Sequence, residues 1–277
     1  MPTLDAPWRG AYDAVAPHTG GSAAGCSFAA KPGRAVVALG ARERQDGHVA
    51  TAYRLRAGDT GPVQQSPVTC GSACLTVARM LVDSVFASWV RTGSPHLPGS
   101  PEGNSEAERF AAYERVVMRR TNGLFAGPHR VNAPWPRALG TPPWGAKREL
   151  EFGAATTGTR YDVMALRQLS DESLRDAFDH LVDVVAEGEP GLLYVGSAHL
   201  PRHVVLVLPG DGDRVLDVYD PGTGRVGHLR RDTVVERRLG LSGWQVPWFA
   251  VQPTGHRRVR AFSASPSLNG ARMTSGA

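Results

Sequence analysis

Lysine is nearly missing from this chain. Lys31 and Lys147 are the only two in 277 residues, so the formal charge of +5 rests on arginines scattered along the sequence. The denser basic runs, Arg230–Arg231 with Arg237–Arg238 and Arg257–Arg258 with Arg260, carry no interleaved aromatics of the kind that stack single-stranded bases. They read as solvated surface, and no nucleic-acid partner is expected. Cysteine is scarce as well: three residues are too few, and an odd number, for a disulfide framework, so the thiols are expected to be reduced. Long apolar runs are absent too, none approaching the roughly 18 residues of a membrane span. The N-terminal stretch MPTLDAPWRGAYDAVAP has no basic region followed by an apolar one. These absences predict a soluble, cytoplasmic protein with no membrane partner and no cleavable leader, leaderless export remaining open.

What is present suffices for one large core: 42% of the residues are hydrophobic. The first part of the chain, residues 1–60, reads as an extension. Its opening is rich in Gly, Ala and Pro, and RAVVALG and HVATAYRLR then suggest a β-hairpin around ARERQDG. Residues 61–255 form the expected main domain, and 256–277, small and polar, a flexible tail. No internal repeat is visible.

Within the main domain, the pattern predicts a helix from about Cys70 to Trp89 and a second from about Ser105 to Thr121 with Phe110, Tyr113 and Val117 on its apolar side. The stretch GPHRVNAPWPRALGTPPWG, from Gly127 to Gly145, holds five prolines and two tryptophans, and reads as a loop that is neither helix nor central strand. Its Trp135 and Trp144 suit core or lid packing. A third helix follows with Ser170 as N-cap and Gly188–Pro190 as its stop. After it the period changes: GLLYVGS, HVVLVLP, RVLDVYD and PWFAVQP read as short strands between turn signals. The fold class expected is therefore α+β, a helical half followed by an antiparallel sheet half.

The stretch QQSPVTCGSACLTVARM holds the chemistry. Ser66, Pro67, Thr69 and Gly71 oppose a helix, whereas Ala73, Leu75, Val77, Ala78 and Met80 favour one, so Cys70 stands where a loop becomes a helix. Free N–H groups and the helix dipole there favour a thiolate. Cys74, one turn on, reads as a small core residue. A thiolate nucleophile needs a base, and the base an orienting group. His203 begins one predicted strand and Asp220 ends the next, so an antiparallel hairpin brings both to one end of a sheet. Asp217 is the fallback orienter, but strand alternation turns it to the opposite face. Gln64, six residues before Cys70, is the candidate oxyanion donor beside the Cys70 N–H, with Gln65 as its competitor.

Gln64, then Cys70-Gly71-Ser72-Ala73-Cys74-Leu75, later His203-Val204-Val205-Leu206-Val207, and Tyr219-Asp220-Pro221 resemble the motifs of papain-like cysteine peptidases. Their spacing is similar to that of the bacteriocin-leader-processing, or double-glycine, branch. The resemblance implies a papain-like fold, with Cys70 as nucleophile, His203 as general base, Asp220 as its orienter and Gln64 as oxyanion donor. It also implies a peptide or protein substrate and no cofactor. Three other readings stand beside it. Cys70, Cys74, His199 and His203 could be imagined around zinc, although Pro201 interrupts the second pair. The same thiolate could serve acyl transfer to an acceptor other than water, as in transglutaminase-like or deamidase-like toxins and effectors. A non-catalytic module could bind a partner through the proline–tryptophan loop.

Overall fold

The structure, a computed structural model, describes residues 52–123, 125–127, 130–131, 135–210 and 214–254. The first helix, α1, spans Cys70–Val82 and is buried on almost every side, from Cys70 through Ala78 and again at Met80. A helix apolar all round belongs in the middle of a domain, and α1 is that central element. It does not continue to Trp89 as the sequence pattern suggested. Asp83 adopts an extended conformation, and its carboxylate accepts a hydrogen bond from Phe86 N at 2.9 Å, which starts a separate helix α2 at Ser84–Thr92. An Asp cap outcompetes helix continuation because it satisfies a first-turn N–H that otherwise lacks a partner.

Helix α3, Glu106–Thr121, is capped by Ser105, whose hydroxyl accepts from Glu108 N. Tyr113 of α3 packs on Phe86 of α2 with ring centroids 4.6 Å apart. A short antiparallel pair follows, β1 at Phe125–Gly127 and β2 at Arg130–Val131. The expected loop to Gly145 is then shorter than the sequence suggested: a 3-10 turn forms at Arg137–Leu139, and helix α4 covers Pro143–Glu149. Its proline sits in the first turn, where the missing N–H costs no helical bond. Strand β3 (Tyr161–Ala165) and helix α5 (Asp171–Val185, N-cap Ser170) come next. The rest of the sheet is β4 (Gly191–Gly196), β5 (Pro201–Val207), β6 (Val215–Asp220), β7 (Arg225–Arg230) and β8 (Val246–Pro253), with a short helix α6 at Arg231–Val235 between the last two.

The six strands run in the order β3-β8-β4-β5-β6-β7, every neighbouring pair antiparallel. Both faces are covered. Leu192, Tyr194, Val204, Leu206 and Tyr219 join the core built by α1, α2 and α3, whereas Leu193, Val195, Val205, Val207 and Val218 join that of α5 and α6. Strands buried on both faces read as continuous apolar runs, which is why GLLYV and HVVLVL lack a polar alternate position. The protein is thus α+β, helices and an antiparallel sheet in three layers. Among the described residues no single helix is long and apolar enough to cross a membrane.

The proposed N-terminal hairpin lies largely outside the described residues. Its described end, 52–57, forms no strand; from Gly58 to Thr60 the chain instead bonds to β7 through Gly58 N to Val226 O and a bridge between Thr60 and Arg225. Cys26 and the tail 255–277 also lie outside the described residues.

Candidate active site

Cys70 is the first residue of α1 and is buried. The Thr69 side chain before it does not cap the helix: its hydroxyl donates to Ser66 O at 2.9 Å and accepts from Ser66 N at 3.2 Å. The first N–H groups of α1 are therefore left without a side-chain cap at the positive end of the helix dipole. The proline–tryptophan segment passes beside the thiol. Gly140 has φ +71°, and a Cβ there would stand 2.8 Å from Val68 O and 3.9 Å from Cys70 Sγ. Gly71 is matched to the same wall, since a Cβ on it would meet Thr141 Cβ at 2.7 Å. Tyr194 of β4 holds that wall by donating to Thr141 O at 3.0 Å, and Trp135 and Trp144 meet edge to face at 5.3 Å between centroids.

His203 lies near the start of β5 and Asp220 is the last residue of β6. The antiparallel register, Leu206 opposite Tyr219, brings these two strand ends together. The imidazole Nε2 is 2.7 Å from Asp220 Oδ1, and both residues are buried. Cys70 stands near enough to the same imidazole to act on its protonation. With Nε2 engaged by Asp220, Nδ1 is the ring nitrogen left for Cys70. Burial opposes charging His203, but the Asp220 carboxylate, which accepts its hydrogen bond, and the neighbouring Cys70 outweigh it, and its pKa is pushed up to about 9. Burial likewise opposes the Asp220 carboxylate, yet His203, Ser242 and Gly222 N hold its pKa below the usual carboxylate value.

The sequence-predicted residues are not all drawn into one contact. Gln64 stands on a loop stitched to the turn after Asp220: Gln64 N donates to Pro221 O at 2.8 Å, Gly61 N to Gly224 O at 2.7 Å, and Tyr219 OH to Pro62 O. Its side chain is turned into that loop, Nε2 donating to Ser66 O at 2.7 Å, while Oε1 is buried without a partner among the described residues. Gln65 is exposed and points elsewhere, to Val63 O. Asp217 pairs with His228 at 2.9 Å and accepts from Ala57 N, away from His203. Cys74 is fully buried, its thiol 3.4 Å from Val204 O, and burial pushes its pKa well up. His199 is exposed on the β4–β5 loop, and among the described residues no group of three or more His, Cys, Asp or Glu is arranged to hold a metal.

Two participants escaped the sequence reading. Ser242 donates its hydroxyl to Asp220 Oδ2 at 2.7 Å from the loop before β8. Nothing local marks that serine. Glu114 is fully buried on α3, where its carboxylate accepts from Gln65 N. A signal for it existed: Glu114 follows Phe110 by four positions and precedes Val117 by three, an acid on the apolar face of an amphipathic helix.

No protein-family model matches this sequence, and no curated protein matches it. Among solved structures, the chain is similar to the crystal structure of the Pseudomonas avirulence protein AvrPphB, with a TM-score of 0.37 and 12% sequence identity over 69% of this chain and 96% of that one.

Proposed function

We propose that this chain is a papain-like cysteine peptidase that cleaves a peptide or isopeptide bond through a thioester on Cys70. One observation carries the reading: a buried imidazole, bonded through Nε2 to Asp220 at 2.7 Å, stands near a cysteine at the uncapped start of a central helix, which acts on its protonation. A pKa of about 9 keeps the imidazole protonated at neutral pH, the state in which it can give a proton to a leaving nitrogen.

In the proposed reaction Cys70 Sγ attacks the substrate carbonyl carbon, forming the C–S bond while the carbonyl π electrons move to oxygen. The Cys70 N–H and the second amide hydrogen of Gln64, the first being committed to Ser66 O, support the reading of these two groups as oxyanion donors. His203 gives its proton to the leaving nitrogen as the C–N bond breaks. Water then attacks the thioester, His203 accepts its proton, and the acid and thiolate are released. Asp220 keeps Nδ1 aimed at sulfur and stabilises the imidazolium.

The test is incubation of the purified chain with a proteome-derived peptide library, reading new peptide termini by mass spectrometry. Wild type generates them, and Cys70→Ala and His203→Ala do not. Cleavage that persists in Cys70→Ala, or a library left intact by wild type, rejects the reading.

A further inference from the structure

Tyr219 precedes Asp220 in β6 and takes no part in the reaction proposed above, although its ring is fully buried and its phenol reaches the Gln64 loop. Successive residues of a strand face opposite sides of the sheet. Asp220 turns to His203, whereas Tyr219 joins the core of α1, α2 and α3, and its hydroxyl donates to Pro62 O. We infer that Tyr219 is a positioning residue: it holds Pro62 and so sets where the Gln64 side chain stands. The inference rests on the reading of Gln64 as oxyanion donor in the Cys70 reaction.

Three bonds fix the loop within a few residues. Tyr219 OH holds Pro62 O, Gln64 N donates to Pro221 O at 2.8 Å, and Gln64 Nε2 donates to Ser66 O at 2.7 Å. Only Val63 separates the first of these points from the second. The proline ring locks φ at Pro62, so fixing its carbonyl fixes the direction in which the chain enters Val63 and Gln64. Of the three bonds, the first is the one made by a side chain from outside the loop. The two residues after Tyr219 supply the carboxylate that holds His203 and the carbonyl that receives Gln64 N. One strand end thus carries the supports of both the base and the oxyanion donor.

Packing brings the loop within reach of the hydroxyl. Gly61 lies against the phenol ring: a Cβ there would stand 3.0 Å from Tyr219 Cε2 and 3.2 Å from Leu55 Cδ1. Gly224 meets the loop from the β6–β7 turn, with φ +71° and a Cβ that would stand 2.6 Å from Gly61 O. Burial pushes the Tyr219 pKa well up, so the phenol keeps its hydrogen at neutral pH. It has a single hydrogen to give, and Pro62 O takes it.

The experiment is a double-mutant cycle on kcat and KM in wild type, Tyr219→Phe, Gln64→Ala and the double variant. Its probe is a fluorogenic peptide copied from a sequence that wild type cleaves in the library. Phenylalanine keeps the ring and removes only the hydroxyl. Tyr219→Phe lowers kcat by about threefold or more, the scale of one lost hydrogen bond, and leaves KM within about twofold. In the Gln64→Ala background the same change lowers kcat by less than about twofold, because no donor is left to misplace. Equal losses in the two backgrounds mean that Tyr219 does not act through Gln64, and they overturn the inference. A loss of less than about threefold in Tyr219→Phe alone overturns it too. Should Tyr219→Phe fail to fold by circular dichroism, Gly61→Ala takes its place in the cycle, since its Cβ drives the loop off the ring, and the same outcomes decide. The failures of the two readings are distinguishable. Gln64→Ala with the kcat of wild type rejects Gln64 as donor, and this inference falls with it, as both do if wild type leaves the library intact. A low kcat in Gln64→Ala with equal Tyr219→Phe losses rejects this inference alone.

Discussion

Ser242 donates its hydroxyl to Asp220 Oδ2 at 2.7 Å, so the carboxylate that holds His203 is itself held from a loop 22 residues further along the chain. Asp220 Oδ1 is shared by His203 Nε2 and Gly222 N, which leaves Ser242 as the side chain that fixes the second oxygen. Ser242→Ala removes a hydrogen bond to a charged group, worth about 1.5–3 kcal/mol, but leaves the others in place. The expected outcome is a loss of peptide cleavage by roughly tenfold, smaller than that of His203→Ala, with the overall fold retained by circular dichroism. A loss as complete as that of His203→Ala is the result that contradicts a supporting role.

Asp220→Asn tests the source of the His203 shift. Burial alone lowers the pKa of an imidazole, and the hydrogen bond to Asp220 is the largest single cause raising that of His203 to about 9. In Asp220→Asn the His203 ring therefore titrates at least about one unit lower, as read from imidazole nitrogen NMR. Stability follows with a defined sign. A raised histidine pKa stabilises the fold fully below the unfolded value of 6.5, and the contribution is lost as pH climbs to about 9. The lowered Asp220 pKa contributes above 3.8 and is lost in acid. The Tm advantage of wild type over Asp220→Asn is thus widest between these limits and shrinks toward pH 9. An advantage that grows toward pH 9 contradicts the ion pair.

Gln64 and Gln65 separate cleanly in the structure, one half-buried against its own loop and the other exposed. Gln64→Ala lowers kcat by about 10- to 1,000-fold, the range for loss of one oxyanion donor, and changes KM little. Gln65→Ala leaves kcat within about twofold, because the contact its residue makes to Glu114 runs through the backbone N–H. Steady-state kinetics on one identified peptide checks both. A kcat loss confined to Gln65→Ala moves the donor by one position.

The two described cysteines are both buried but differ in surroundings, and are expected to differ in reactivity. Cys74 is sealed between α1 and β5 with its thiol on Val204 O, and burial pushes its pKa well up. Limiting iodoacetamide near pH 6, below the ~8.5 of an unperturbed thiol, labels Cys70 well ahead of Cys74. Cys74→Ala keeps both labelling and cleavage and lowers Tm modestly. Label arriving first on Cys74 sinks the assignment of Cys70 as nucleophile.

Several features were written in local sequence. The start of α1 at Cys70 was legible because Ser66, Pro67, Thr69 and Gly71 oppose helix on one side while the apolar spacing of Ala73, Val77, Ala78 and Met80 enforces it on the other. Helices α3 and α5 were legible from Ser105 and Ser170 followed by an apolar face. The meeting of His203 and Asp220 was also close to local, since two successive strands joined by a turn must place the start of one beside the end of the next. Other elements were misread or missed where local signals conflict. The apolar pattern ran straight through Asp83, which nonetheless ends α1, because its carboxylate caps α2 and lets that helix pack back onto α3. Strand β7, RVGHLR, is polar on its edge side and carried too little apolar alternation to be seen.

Tertiary packing alone decided the rest of the site. Which oxygen of Asp220 meets Ser242, that Gly140 lies against Cys70, that the Gln64 loop is tied to the turn after Asp220, and what the buried Glu114 holds are all relations between segments at least 22 residues apart in the chain. Periodicity and capping are properties of a few consecutive residues, so the sequence by itself determined the start of α1, helices α3 and α5, most of the strands and the residue types fit for thiol chemistry. Distances between side chains from different elements depend on how the layers close over one another, and only the packed fold sets them.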